Sequence, residues 1–315
     1  MKLFATARRK RLLIVLLALP LFILALEMSG RLRGPEELKE WPPPLEYAPY
    51  PTPSGYAPRP FRWVPPQSSG PPVPRDPEMD RILRGLLAYN DTGGEFLLLY
   101  WIAQVYPLPE VEEAARNGAT KMARDLPENS YDLRVLRFID PDYRPPWVGC
   151  DLNRSAGDCF DYHGLYCDAL PVPSNFVRQI RDHIRTVPPG RGHNLFHYLI
   201  ALMEMERRGC GGREVSDALR QGLDIAAREM AALTEDRQAP GLSSPTSSTE
   251  ASAELAFYLL RSGARERIEP AWMASIEGHL RAMAPLIERG DPSVNIHGSL
   301  LEALVTLLWR QGRMP

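Results

Sequence analysis

The sequence predicts an all-α domain built of about five stacked helical hairpins. From Asp76 onward, apolar residues recur with the helical period of 3.6 residues, and no convincing stretch alternates with the period of two that a half-buried strand requires. Three of the helical segments share one pattern, because each ends in a basic residue, one further residue and a glycine. Helical periodicity and repetition together favour a stack of similar helical units.

The repeated segments are HYLIALMEMERRG, ASAELAFYLLRSG and GSLLEALVTLLWRQG, which close with Gly209, Gly263 and Gly312. These glycines are 54 and 49 residues apart, and a repeat of about 50 residues holds two helices and a loop. Each glycine is expected just after a helix, at a position that often requires a positive φ. The more apolar helices are expected to form an inner layer, with the charged segments 108–125 and 213–235 outside.

This layering resembles an α/α-toroid, the architecture of polysaccharide lyases, glycosidases and cyclases. The resemblance concerns architecture alone, because no family motif accompanies it. A ring of six hairpins would need roughly 300 residues at this repeat length, whereas the helical region, 76–315, has about 240. We therefore expect an incomplete, arc-like version of the toroid.

The helical domain is expected to begin at Asp76, which offers an N-cap before a proline at the first helical position, Pro77, and an early acid, Glu78. The next helix is predicted in EFLLLYWIAQVY, which is apolar nearly all round and therefore buried. Further helices are predicted at roughly 108–125, 129–138, 173–185, 193–208, 213–235, 250–262, 271–289 and 298–311.

The N-terminus predicts attachment to a membrane. A basic tail, 1–11, precedes the segment 12–27, whose apolar run from Leu12 to Leu26 spans roughly 22 Å as a helix, short for a full crossing and at the upper limit for a signal peptide. No convincing small-x-small cleavage pattern follows, so an uncleaved signal-anchor is favoured over a cleaved signal peptide. The excess of basic residues before the run predicts a cytoplasmic N-terminus and an extracytoplasmic remainder.

A proline-rich linker, 28–75, follows the predicted anchor, and 15 of the 32 prolines lie within residues 35–77. Such a segment favours extended polyproline II and would form a semi-rigid stalk of at most about 130 Å. A docking segment for a proline-reading partner or the cell wall is the alternative. The aromatic residues of the linker would also suit packing onto the domain; they are Tyr47, Tyr50, Tyr56, Phe61 and Trp63.

The loop 140–172 contains three of the four cysteines, Cys150, Cys159 and Cys167, and the fourth is Cys210. In an exported chain an even number of cysteines favours disulfides, but four cysteines allow three pairings and the sequence does not choose among them. A zinc site that recruits His163 is an alternative, although no CxxC spacing supports it. The stretch DLNRSAGDCFD, 151–161, also resembles a calcium loop, but its glycine is seventh rather than sixth and it lacks the closing glutamate.

Polar residues gather where the repeated helices begin. When the closing glycines are aligned, His193 corresponds to Ser247, and Ser248 corresponds to His297. The N-terminal ends of these helices are therefore expected to converge on a single cleft. Helix N-termini present unpaired N–H groups and a positive dipole end, which favour anionic ligands. The candidate catalytic residues are therefore His193, His197, Glu250 and His297.

His193 and His197 lie one helical turn apart and could share a metal ion. No glutamate follows His193, so the HExxH pattern of metalloproteases is absent, and Asn194 could instead cap the helix. A metal-free ligand cleft, or histidines that only cap or pack, are the alternatives. No cofactor is predicted; zinc and calcium are the ions that the weaker patterns would allow.

The nearly balanced charge, −2, gives no electrostatic basis for a nucleic-acid partner. No GxSxG, P-loop or GxGxxG motif occurs. The sequence predicts a membrane-anchored, extracytoplasmic binding or scaffold module whose ligand is an envelope glycan or protein. The alternative is a glycan hydrolase or lyase with its site at the N-terminal ends of the inner helices. A metal ion could assist such an enzyme. Several aromatic residues, among them Trp101, could stack on sugar rings, although most are expected in the core.

Overall fold

The computed structural model describes residues 55–68, 70–89, 94–127, 130–146, 163–170, 172, 174–186, 192–238 and 245–312, without the side chains of 131, 192–194, 234–238 and 245–249. The predicted basic tail, signal-anchor and calcium-like loop, together with Cys150 and Cys159, lie outside the described residues. Within the described ranges, no helix combines the length and apolar character that a membrane crossing requires.

The described part of the chain is all-α, as predicted, and contains no strand. Its α-helices are α1 (Pro77–Leu87), α2 (Phe96–Val105), α3 (Pro109–Asp125), α4 (Phe176–Thr186), α5 (Gly192–Arg207), α6 (Gly212–Gln238), α7 (Pro245–Arg261), α8 (Pro270–Glu288) and α9 (Ile296–Gln311). Two 3₁₀ helices, Tyr131–Phe138 and Arg265–Arg267, follow α3 and α7. The segment predicted at 129–138 is therefore helical, but with the tighter 3₁₀ geometry.

Local sequence explains where α1 and α9 begin. The side chain of Asp76 accepts a hydrogen bond from the backbone N–H of Glu78 at 3.0 Å, and Pro77 occupies the first helical position. Asn295 caps α9 in a similar way, since its side-chain oxygen accepts from the backbone N–H of Gly298 at 3.1 Å. Each cap satisfies a donor that a helix leaves unpaired at its start.

The glycines after α5 and α7 have the predicted left-handed conformation, with φ of 72° at Gly209 and 75° at Gly263. The same prediction is wrong for Gly312, whose φ is −72°. Gly312 lies against the guanidinium of Arg265, and a β-carbon at this position would collide with it. Because the guanidinium is the flexible end of its side chain and can move, neither φ nor the space around Gly312 requires glycine at the end of α9.

Burial differs between alternate helices. Helices α2 and α9 are buried over most of their surface, whereas α3 buries only Val111, Ala115, Gly118 and Ala119. Helices α5, α7, α9 and α2 contact one another in that order, and α6, α8, α1 and α3 pack against them. A helix that is apolar on all sides needs neighbours on all sides, which accounts for the position of α2 and α9.

The first and last helices of the domain lie side by side. Helix α9 contacts both α1 and α2, and α8 contacts α1. Arg310, in the last turn of α9, donates hydrogen bonds to Asp76 at 2.6 Å and to Glu277 at 2.8 Å. The hydroxyl of Tyr89 donates to the backbone oxygen of Asp291 at 3.0 Å. The bonds of Asp76 and Tyr89 attach the C-terminal region to the start of the domain, and the bond to Glu277 joins α9 to α8.

The described part of the proline-rich linker contacts the helical domain. The ring of Trp63 meets the edge of Tyr100 with 5.5 Å between centroids, and Phe61 meets Tyr143 in the same manner at 5.9 Å. Phe61 and Trp63 thus have one of the roles predicted for the aromatic residues of the linker, which is packing onto the domain.

A disulfide joins Cys167 to Cys210 across a sequence separation of 43 residues. It connects the segment 163–170 to the residues that follow α5. The sequence had left the partners of Cys167 and Cys210 open, and the structure pairs these two with each other. His163 lies in the same segment, buried against the ring of Phe176, and burial lowers its pKa to about 4. Because Cys167 and Cys210 are bonded to each other, neither supplies a thiolate to the zinc site considered for His163.

Arg137, in the first 3₁₀ helix, is only 1% exposed. Its guanidinium donates to the backbone oxygen of Leu165 and to a carboxylate oxygen of Asp168, the latter at 2.8 Å. The guanidinium also lies 4.4 Å from the centre of the Tyr166 ring. Arg137 therefore attaches the disulfide-bonded segment 163–170 to the 3₁₀ helix.

Candidate functional site

A cavity of about 390 Å³ opens beside the starts of α2 and α9 and the middle of α7. This volume is within the usual range of small-molecule sites. The first 3₁₀ helix, α5 and Met122 of α3 also line it. Its charged lining residues are Glu95, Asp132, Arg134, Glu254 and His297, and most of the remaining lining is apolar or aromatic.

His297 lies between two carboxylates in the first turn of α9. Its Nδ1 is 2.7 Å from Oε2 of Glu95, and its Nε2 is 4.0 Å from Oε1 of Glu250. The cap residue Asn295 donates its side-chain N–H to the other oxygen of Glu250 at 2.9 Å. The residue that starts α9 thus also holds Glu250 beside the imidazole.

Neighbouring carboxylates raise the pKa of His297. The hydrogen bond with Glu95 raises the pKa of His297 above its ordinary value, and the negative charges of Glu95, Glu250 and Glu254 act in the same direction. Burial opposes the shift, but less strongly than the hydrogen bond with Glu95 raises the pKa. A hydrogen bond to a carboxylate also favours the tautomer with the proton on Nδ1. His297 therefore holds its proton beside the cavity more tightly than a free imidazole does.

Aromatic side chains form part of the cavity wall. Trp101 of α2 and Phe257 of α7 lie with their ring centroids 4.9 Å apart and their planes inclined by 31°. The guanidinium of Arg261, one turn after Phe257, is 5.6 Å from the Trp101 ring centre. Tyr258 also lines the cavity and stacks on Phe196 of α5 at 5.6 Å. The cavity therefore presents aromatic surface alongside its carboxylates.

The titration of His297 tests this geometry. An NMR titration of the imidazole is expected to give a midpoint above 6.5, the ordinary value, and Glu95→Gln is expected to lower that midpoint because it removes the hydrogen-bonded charge. The raised pKa means that the folded chain binds the proton more tightly than the unfolded chain. The pair consequently stabilises the fold below the unfolded pKa, and this contribution is lost as pH rises through the folded pKa.

Glu113→Gln is the matched control, because Glu113 is exposed on α3 and does not line the cavity. The control is expected to leave the midpoint of His297 unchanged. A wild-type midpoint at or below 6.5 would contradict the contact between Glu95 and His297.

Two of the four candidate catalytic residues lie together. His297 lines the cavity, and Glu250 lies next to it. His197 is half-buried on α5 and is not among the described residues that line this cavity. The side chain of His193 lies outside the described residues, although its backbone belongs to the first turn of α5.

Sequence reasoning did not identify Glu95 or Asp132 as site residues. Glu95 immediately precedes α2, the most apolar helix described, and a lone acid at the start of a buried helix is a usable signal for a carboxylate at a cavity rim. Asp132 lies in the first turn of a 3₁₀ helix, and its sequence context carries no comparable signal.

In the ranges that the structure describes, no group of three or more histidine, cysteine, aspartate or glutamate side chains is arranged to hold a metal ion. The calcium-like loop lies outside those ranges, as does the side chain of His193. No protein-family model, curated protein or solved structure matches the chain.

Proposed function

We propose that the chain is a membrane-anchored, extracytoplasmic module whose cavity beside His297 binds sugar units of an envelope glycan. One observation carries the proposal, namely the combination of carboxylates and an aromatic wall in a single cavity. Glu95 and Glu254 can accept hydrogen bonds from sugar hydroxyls, while Trp101 and Phe257, which are 6% and 4% exposed, contribute apolar lining that a sugar ring can contact.

The predicted location of the helical domain outside the cytoplasm supports an extracellular or periplasmic ligand. The basic tail and the apolar segment 12–27 predict export of everything that follows. The disulfide between Cys167 and Cys210 is of the kind that persists in an oxidising compartment. A protease added outside intact cells, or outside spheroplasts if an outer membrane encloses the domain, is therefore expected to digest the helical domain.

The finer architecture that we propose is a stack of hairpins resembling an incomplete α/α-toroid. The order of helix contacts, α5 to α7 to α9 to α2, supports an inner layer that curves around the cavity. The segment 163–170 extends that layer, since Gly164 lies directly against the backbone of Ala201 on α5 and Leu165 accepts a hydrogen bond from Arg137. The cavity beside the starts of α2 and α9 is where a sugar unit of a polymer would enter.

Binding can be measured by calorimetry, with the full chain in detergent and fragments of envelope polysaccharides as ligands. Glu254→Gln and His297→Gln are each expected to weaken binding about tenfold, since a hydrogen bond to a charged group contributes roughly 1.5–3 kcal/mol. Glu113→Gln, on the exposed face of α3, is again the control and is expected to bind as the wild type does. Absence of binding to every fragment would refute the proposal.

Cleavage of the glycan is a second candidate function, favoured by the position of His297 between Glu95 and Glu250. An imidazole that carries a proton beside carboxylates can act as a general acid, and a neighbouring carboxylate can act as a base. Mass spectrometry of the incubated fragments separates the two functions, because hydrolysis adds water and a lyase leaves an unsaturated product. Cleavage that is lost in His297→Gln would assign an enzyme, whereas intact bound fragments would assign a binding module.

A further inference from the structure

The proline-rich linker and the segment after the first 3₁₀ helix meet in a single antiparallel β-bridge between Arg59 and Arg144. The backbone N–H of Arg59 donates to the oxygen of Arg144 at 2.8 Å, and the N–H of Arg144 donates back to Arg59 at 3.2 Å. Two residues that exchange both hydrogen bonds lie directly opposite each other, and their side chains leave the backbone on the same face. The bridge therefore brings two arginines to one face.

These two arginines line a groove of about 560 Å³ together with Arg124 of α3. Phe61 and Tyr143, the ring pair that attaches the linker to the domain, contribute apolar surface to the same groove. Its lining residues include three arginines and, among the residues that the structure describes, no carboxylate. This groove shares no lining residue with the cavity beside His297.

Like charges directly opposite each other destabilise an antiparallel pair, so an anion bound beside Arg59 and Arg144 would offset their repulsion. Asp142 supplies part of it, at 3.6 Å from Arg59, but both side chains are more than half exposed and such a pair is weak. Arg124 is similarly exposed and uses two of its five donors on Asp125. The Nε of Arg144 is buried and has no hydrogen-bond partner within the described ranges.

We propose that the groove formed by Arg59, Arg124 and Arg144 binds a phosphate group carried on an organic body. Three arginines from three separate segments line this one groove, and guanidinium groups pair with phosphate in a bidentate manner. The organic body rests on Phe61 and Tyr143. The shared chemistry admits a soluble phosphate ester or a lipid headgroup.

Calorimetry of the full chain with phenyl phosphate, and sedimentation with phosphatidylcholine vesicles containing phosphatidylglycerol, test the proposal and distinguish the two sources. Saturable binding of phenyl phosphate is expected, weaker at high salt because exposed charges are screened. The double variant Arg59→Gln/Arg124→Gln is expected to lose tenfold or more, since each charge-assisted hydrogen bond contributes roughly that factor. Both side chains are more than half exposed, so the double variant is expected to fold.

Arg116→Gln is the matched control, because Arg116 is an exposed arginine on the same helix as Arg124 and does not line the groove. It is expected to stay within twofold of the wild type. Binding of vesicles alone, with the same loss in the double variant, would assign the lipid headgroup as the source. The proposal is overturned if neither probe binds, if Arg116→Gln weakens binding as much as the double variant, or if benzoate binds as tightly as phenyl phosphate.

Discussion

Replacement of Arg137 by leucine is expected to lower the free energy of unfolding by about 3–5 kcal/mol. The arginine is 1% exposed, and its guanidinium donates to Asp168 at 2.8 Å and to the backbone oxygen of Pro141 at 3.0 Å, besides that of Leu165. Leucine replaces part of the apolar stem but leaves all three acceptors without this donor. Urea denaturation followed by circular dichroism measures the loss.

Arg116→Leu controls for removal of a charge, because Arg116 is exposed on α3, and it is expected to change the free energy of unfolding by less than about 0.5 kcal/mol. The double variant Arg137→Leu/Asp168→Leu is expected to lose less than the sum of the two single variants, since the paired side chains are coupled. A loss below about 1 kcal/mol for Arg137→Leu would show that water replaces the guanidinium at little cost.

Removal of the disulfide by Cys167→Ser/Cys210→Ser is expected to lower the free energy of unfolding by about 2–4 kcal/mol. The bond spans a sequence separation of 43 residues and joins the segment 163–170 to the end of α5. Without the bond, the unfolded chain gains conformational freedom that the folded chain does not. The same urea denaturation measures the effect in protein prepared under oxidising conditions.

Full reduction of both proteins is the control for the substitutions themselves, because the wild type and Cys167→Ser/Cys210→Ser then both lack this bond and are expected to have similar free energies of unfolding. Peptide mapping without reduction is expected to recover Cys167 and Cys210 in one linked pair of peptides. Recovery of either cysteine linked to a different partner, or an unchanged free energy of unfolding in Cys167→Ser/Cys210→Ser, would contradict the pairing.

The helices were largely predictable because each carries a local signal. The segment predicted at 271–289 is the helix Pro270–Glu288, and the segment predicted at 298–311 is Ile296–Gln311. The start of α7 was placed too late, at 250 instead of Pro245, because the serine and threonine residues before Glu250 show no apolar period. A positive φ was wrongly expected at Gly312. Its close neighbour, Arg265, is distant in sequence and was not foreseen either.

The candidate site was predictable only in part. Alignment of the repeated helices places Glu250 near His297, and the structure has these side chains 4.0 Å apart. Glu95 was not foreseeable by that route, because its contact with His297 spans 202 residues and joins a repeated helix to one outside the pattern. The disulfide partner of Cys167 could not be predicted for the same reason, because the spacing of cysteines does not reveal which segments meet in space.

The adjacency of α9 to α1 and α2 has a consequence for how the domain could change in evolution. Open solenoids lengthen by adding units, and they shield their two extremities with specialised polar caps. Here the last helix, α9, packs against the first two, α1 and α2. The hydrogen bond between Arg310 and Asp76 joins the two ends of the domain. If the proposed stack of hairpins is correct, an extra hairpin could be added only by breaking the contacts of α9 with α1 and α2.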